Sequence, residues 1–213
     1  MTVMEASAKE TQHEAGGYVK GVAIAVVTQN NDDEKLCRVK VRYPWHDQPR
    51  ESYWARLSVP MAGNDRGFVT IPEVGDEVLV AFEREDLRFP YILGGLFNGQ
   101  DKPPITNDDG NNDKRIFKSR AGHFFLYNDN TSSGEVVLSH KNEGRITFTK
   151  DGWVVQDKNG NKVEVNSNSG AMTIEAKGQL NIKAASITIE ATGTMEVKSS
   201  GTMTIRGSLV NIN

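Results

Sequence analysis

The C-terminal part of the sequence, from Met172 to the last residue, repeats about every eight residues. In each unit, large apolar residues alternate with polar ones, and Gly or another small residue follows. Successive units begin eight, seven, eight, eight and seven residues apart. Strict alternation is the period of a β-strand, and small residues at regular corners suit a chain that turns as a solenoid. The pattern therefore predicts a β-helix.

Each repeat unit places only two large apolar side chains on the inner side of the coil. Two are too few for a single chain to enclose a hydrophobic core. Burying so few side chains does not offset the entropy lost on ordering the backbone, and a lone coil leaves strand edges unpaired. We therefore predict a homotrimer in which three chains share one axis. A monomeric hexapeptide solenoid is the nearest alternative, but its repeat is shorter. The predicted trimer core is Met172, Ile174, Leu180, Ile182, Ile187, Ile189, Met195, Val197, Met203, Ile205, Val210 and Ile212.

The charge pattern and the single cysteine exclude several classes of protein. The 213 residues include 25 basic and 28 acidic side chains, which are interspersed and give a formal net charge of −3. Nucleic-acid partners are not expected, because phosphate binding relies on clustered Lys and Arg. Cys37 is the only cysteine, so no intrachain disulfide forms. The sequence has neither a secretory signal nor a long apolar run, so we expect synthesis in the cytoplasm and export, if any, by another machine.

Changes in composition and apolar pattern along the sequence predict an all-β chain with five segments. Residues 1–16 are a flexible N-terminal arm, and residues 17–99 carry five runs rich in Val, Ile and aromatics, which predict a five-stranded OB-fold barrel. Residues 100–114 are rich in Pro, Asn and Asp and predict a linker. Residues 115–170 predict a β-prism or irregular β-helix, and residues 171–213 the regular octad-repeat needle.

The predicted barrel strands and the apolar pairs of the predicted prism are both read from runs of apolar residues separated by turn-forming residues. The five predicted barrel strands are 18–28, 37–43, 53–59, 68–71 and 78–83. The apolar positions of the predicted prism are Phe124 and Leu126, Val136 and Leu138, Ile146 and Phe148, Val154, and Val163 and Val165.

Three stretches carry a more specific signature. The first is the predicted strand Arg38-Val39-Lys40-Val41, which is followed by Tyr43-Pro44-Trp45. The last is the end of the sequence, Val210-Asn211-Ile212-Asn213. Between them lies a motif with Trp54, Ala55, Arg56, Ala62, Gly63, Gly67, Pro72, Gly75, Asp76, Glu77, Val78, Val80, Pro90, Gly95, Asn98, Pro103 and Pro104. Together these stretches resemble the baseplate spike proteins of contractile injection systems, namely phage baseplate protein V and the VgrG spike of type VI secretion.

The resemblance implies an OB barrel followed by a triple-stranded β-helix in a homotrimer. It implies a structural, membrane-piercing spike at the centre of the baseplate of a phage, tailocin, extracellular injection system or type VI apparatus. The implied partners are a hub protein, a PAAR-repeat tip protein, the tail tube and baseplate complex, and the target cell envelope on firing. The implied location is a virion tail or injection particle, delivered into or through that envelope. No enzymatic activity, metal or cofactor is implied.

Departures from the family pattern refine this expectation. Only sixteen residues precede the barrel, so a separate hub protein is expected, and residues 100–122 are too short for an inserted lysozyme domain. The family's glycines are replaced by Cys37 and, in a second turn, by Glu85. A blunt end without histidines suits a PAAR-repeat cap, whose expected contacts are Val210, Asn211, Ile212 and Asn213.

The sequence gives only weak support for catalytic or metal-binding residues. Asp76 and Glu77 are neighbours whose side chains face opposite sides of a strand, so they do not form an acid/base pair. His46 has no nucleophile in a suitable motif, and residues 108–113 lack the last acidic ligand of a calcium loop. The remaining alternative is a trimeric OB-fold module on a β-helical stalk that binds a glycan or surface ligand through Tyr43, Trp45, Tyr53 and Trp54.

Overall fold

The structure, a computed structural model, describes residues 19–46, 51–141 and 143–212. The predicted arm, residues 1–16, lies outside these ranges. Two units separate between Asp108 and Asp109. Within these ranges, the regular elements are strands apart from a tight turn at Glu83–Glu85, which confirms the all-β prediction. None of the helical segments described has the length and apolar character needed to span a membrane.

The first unit is built on one five-stranded sheet and a small hairpin. The strands are β1 (Val22–Gln29), β2 (Lys40–Arg42), β3 (Arg56–Leu57), β4 (Ala62–Gly63), β5 (Arg66–Gly67), β6 (Glu77–Phe82) and β7 (Pro90–Gly95). The sheet order is β2-β1-β6-β7-β3, and β4 pairs only with β5. The pair β3–β7 is parallel, and the other pairs are antiparallel.

The two edge strands of this sheet are joined to each other. The backbone N–H of Val39 donates to the carbonyl oxygen of Ala55 at 3.0 Å, and the N–H of Ala55 donates back at 2.7 Å. A second bridge joins Arg42 to Glu51. These bonds remove the free edges of β2 and β3, so the five strands close into the small barrel that the sequence predicts.

The barrel core follows from alternation along the strands. In β6, Val78, Val80 and Phe82 point inward, while the residues between them are half-buried. The fully buried set also includes residues from the other strands and their flanks: Val19, Ala25, Val27, Val39, Val41, Tyr43, Ala55 and Ile92.

One predicted barrel strand is wrong, and one strand was missed. Residues 68–71 form no strand: Phe68 and Val69 are 49% and 68% exposed, because the chain is still leaving the β4–β5 hairpin there. The fifth strand is β7, whose Ile92 is 2% exposed in the core. Its first residue is Pro90, a position where a strand tolerates the missing N–H donor.

The second unit is a seven-stranded antiparallel meander in which each strand pairs with the next. Short turns connect the strands; in one of them, the Asn161 side-chain amide donates to the Asp157 carboxylate at 2.7 Å and lowers the pKa of Asp157. The strands are β8 (Lys114–Lys118), β9 (Phe124–Asn128), β10 (Glu135–His140), β11 (Gly144–Thr149), β12 (Gly152–Asp157), β13 (Lys162–Asn166) and β14 (Ala171–Glu175).

Residues 176–212 form no strand in the described chain, although their alternation predicts strands. A strand needs a neighbour for its backbone groups, and these residues of one chain find none. The interchain prism and the triple-stranded needle therefore remain predictions about an assembly.

Candidate functional site

One face of the meander is apolar along its whole width. Directly opposed residues of antiparallel strands point to the same side of the sheet, so the pairing register identifies each row of that face. The first row is Phe117, Phe125, Leu138, Ile146, Val155, Val163 and Ile174. The second row is Arg115, Tyr127, Val136, Phe148, Trp153, Val165 and Met172. Only Arg115 is charged. We call these two rows the apolar face.

The apolar face is left open to solvent in the single chain. Leu138 is 54% exposed and Phe148 is 51% exposed, and neither lies at a sheet edge. Soluble proteins rarely expose a contiguous apolar surface of this extent unless it contacts a partner.

The register joins the apolar face to the predicted trimer core. Val163 pairs with Ile174 and Val165 pairs with Met172, and these two partners on β14 are the first predicted core residues. The rest of that set is also exposed, from 46% at Met203 to 88% at Ile212. The face and the octad residues thus form one apolar series in the sequence.

The register divides the apolar pairs that the sequence shows between the two sides of the meander. Val136, Leu138, Ile146, Phe148, Val163 and Val165 lie on the apolar face. Leu126 and Val154 lie on the opposite side, in a row with Val137 and Thr147. Phe124 also faces that side, and Phe125, Tyr127, Trp153 and Val155 belong to the apolar face.

The predicted tip contacts lie at the end of the described chain. Val210 and Ile212 are large apolar residues without cover, and Asn211 is exposed. Asn213 lies outside the described residues. Leu209, which the sequence pattern did not single out, is 76% exposed beside them.

A buried ion pair that sequence reasoning missed orders the loop before β2. Arg38 donates from Nε and Nη2 to the two carboxylate oxygens of Asp32, each at 2.8 Å. Backbone N–H groups of Glu34 and Leu36 donate to the same carboxylate at 3.1 Å. These bonds, led by the Arg38 guanidinium, hold the pKa of Asp32 far below its usual range. The charges of Asp32 and Arg38 therefore stabilise the conformation of this loop.

The comparisons with known proteins agree with this architecture. The model of the type VI secretion system/phage-baseplate injector OB domain matches residues 23–97. Residues 23–97 are therefore an OB domain of this injector family, and the chain is similar to VgrG spike proteins. The matched residues run from β1 to the end of β7, so they cover the closed barrel.

Curated spike proteins are similar to part of this chain. The actin cross-linking toxin VgrG1 of Vibrio cholerae is 35% identical over 96 residues, which are 41% of this chain and 9% of that protein. The spike protein VgrG1c of Pseudomonas aeruginosa is 37% identical over 94 residues, 40% of this chain and 13% of its own length. VgrG3 of Vibrio cholerae is 29% identical over 134 residues, 57% of this chain and 13% of its own. The chain thus spans only a small part of these relatives.

The carboxylates considered as candidate acids and bases are hydrogen-bonded in turns and loops of this chain. The Asp76 carboxylate accepts the backbone N–H of Glu73 at 2.9 Å, and Glu77 accepts the side-chain amide of Asn98 at 3.3 Å. In the predicted linker, Asp109 accepts the backbone N–H of Asn111, which lowers the pKa of Asp109. Within residues 19–46, 51–141 and 143–212, no three His, Cys, Asp or Glu side chains gather as metal ligands.

The four aromatics of the glycan-binding alternative do not form one platform on this OB domain. Tyr43 is buried against Phe82 and Trp45, at centroid distances of 5.7 and 5.4 Å, and burial raises the pKa of Tyr43 to about 12. The Trp54 ring lies under the cations of Arg38 and Lys40, which are 5.7 and 5.0 Å from its centroid. Tyr53 alone is freely exposed.

Proposed function

We propose that the chain is the central spike of a contractile injection machine and acts as a homotrimer. The observation that supports this most directly is the apolar face, because its register leads into the octad residues at Met172 and Ile174. Three copies that turn their apolar faces toward a common axis would bury both sets at once. Each Val, Leu, Ile or Phe side chain that becomes fully buried contributes about 1.5–3 kcal/mol, so the series provides a strong driving force for assembly.

The proposed action is mechanical. In the trimer, the strands of residues 176–212 find partners on neighbouring chains, which satisfies their backbone groups and leaves no free edge along the shaft. Outward Thr residues, such as Thr173, Thr188 and Thr202, favour strand geometry and keep the shaft hydrated. Sheath contraction then drives a stiff needle through the target envelope. We assign no bond-making or bond-breaking step to this chain.

Two partners complete the proposed assembly. A hub protein holds the barrel unit within the baseplate, next to the tail tube. A PAAR-type tip protein covers Val210, Asn211, Ile212 and Asn213, where Val210 and Ile212 offer exposed apolar surface. The finished particle carries the spike out of the producing cell.

The solution mass tests the trimer. We expect light scattering of the purified chain to give about three times 23.5 kDa, with the complex persisting in SDS without boiling. Val155→Asp, on the apolar face, should abolish the trimer because it would bury an unpaired carboxylate. Gln156→Asp, its neighbour on the opposite side of β12, should leave the trimer intact. A folded monomer for the unaltered chain, or equal behaviour of the two variants, would contradict the proposal.

A further inference from the structure

A groove of about 620 Å³ opens on the barrel unit. It lies between the loop at residues 35–38, strand β3 and the β4–β5 hairpin. Its apolar lining includes Leu57, Val59, Met61 and Phe68, and Met61 is 53% exposed. This volume lies within the range of sites that enclose small ligands or peptide side chains.

The charged residues that line the groove are all basic. They are Lys35, Arg38, Arg56 and Arg66, and no Asp or Glu belongs to the lining. Arg38 is neutralised by Asp32 and Glu34, at 2.8 and 3.1 Å. Among the described residues, Lys35 and Arg66 enter no ion pair. The groove therefore carries uncompensated positive charge on a chain whose net charge is −3.

The walls of the groove are already fixed without an occupant. The Asp32–Arg38 pair holds the loop wall, and Arg38 and Lys40 lie over the ring of Trp54, which lines the groove. In the hairpin wall, a Cβ atom added to Gly67 would lie 2.9 Å from the carbonyl oxygen of Met61, so only Gly allows this close packing. A preformed site binds its ligand with little additional ordering.

We propose that this groove binds an acidic, extended peptide segment of a partner protein, in which carboxylates alternate with apolar residues. The apolar side chains of the peptide pack between Met61, Phe68 and Leu57. Its carboxylates face the other way, toward Lys35 and Arg66 on the rim. Complementary charge then selects the partner, and the apolar lining contributes most of the affinity.

A peptide of alternating glutamate and leucine, labelled with fluorescein, tests this interaction by fluorescence anisotropy on the full-length chain. We expect saturable binding that weakens as salt is added. Arg66→Glu and, independently, Lys35→Glu should each weaken binding by about tenfold or more, because each replaces an attraction by a repulsion. Lys102→Glu makes the same charge change outside the groove lining and should leave the affinity unaltered.

Control peptides separate this site from non-specific adhesion. A lysine–leucine peptide should not bind, and a glutamate–serine peptide should bind much more weakly, since it lacks apolar side chains. Binding that is equal for Arg66→Glu, Lys35→Glu and Lys102→Glu would overturn the proposal, and so would the absence of any binding to the assembled chain. The solution mass of each variant is measured in parallel, so that a loss of trimer is distinguished from a loss of peptide binding.

Discussion

Six of the described non-glycine residues occupy backbone conformations that favour glycine, and Cys37 and Glu85 are two of them. Cys37 has φ 57° and Glu85 has φ 66°, and both stand where the spike-family pattern has Gly. The left-handed region disfavours residues with a Cβ atom by roughly 1–2 kcal/mol. At both positions, therefore, a residue other than Gly adopts the backbone conformation that a Gly would favour.

Cys37→Gly should stabilise the barrel unit by up to about 1 kcal/mol, because it removes the strain of the left-handed conformation. The gain is limited because Gly also raises the conformational entropy of the unfolded chain. Chemical denaturation followed by tryptophan fluorescence measures the change. Cys37→Ala is the matched control: it also removes the thiol but keeps the Cβ atom, and it should not stabilise. A loss of stability in Cys37→Gly would show that the strain argument is wrong.

At the level of strands, the alternation of apolar and polar residues predicts the barrel strands correctly where only one face of the strand is apolar. Val39 with Val41 and Val78 with Val80 alternate with polar or half-buried neighbours, and both pairs lie in the core. The sequence Phe124-Phe125-Leu126-Tyr127 is apolar at each position, so alternation alone cannot decide which pair faces the partner. A shift of one residue exchanges the two faces, and only cross-strand pairing fixes the register.

Other features of the strands depend on contacts that are distant in sequence. Strand β7 begins with Pro90 and ends in Gly94-Gly95, which are residues typical of turns, and its place beside β3 is set by the barrel closure. The role of Asp32 was equally hidden, because its significance depends on the guanidinium of Arg38 and on backbone donors across the loop. Polar residues of this kind look like ordinary turn residues in a sequence.

Gly152→Ala should destabilise the meander severely. Gly152 begins β12 with φ +142°, and an added Cβ atom would lie 1.9 Å from the carbonyl oxygen of Val165 on β13. Because two backbones must separate, we expect a loss of about 3 kcal/mol or more. Gly170→Ala is the matched control: it has φ +69° but open space around the new methyl group, so about 1 kcal/mol is expected. Equal effects in thermal unfolding would contradict the predicted close approach of β12 and β13.

The whole chain combines two kinds of stability. The barrel unit has a closed hydrogen-bond network and its own buried core. In a single chain, the large apolar residues of the meander are mostly half-buried or exposed, and those of the octads are exposed. We therefore expect the barrel to fold from its own contacts and the C-terminal unit to depend on other copies. Sequence periodicity leads to the same prediction, because the octads offer too little apolar surface for one chain to enclose a core.

Calorimetry of the full-length chain should therefore resolve two unfolding transitions, one for each side of the break between Asp108 and Asp109. Only the transition of the C-terminal unit should move to higher temperature as protein concentration rises, because dissociation of a trimer obeys mass action. Cys37→Gly should shift the other transition alone, and Gly152→Ala the concentration-dependent one alone. One transition that both substitutions move together would mean that the barrel and the meander unfold as a single cooperative unit, and that barrel stability also depends on assembly.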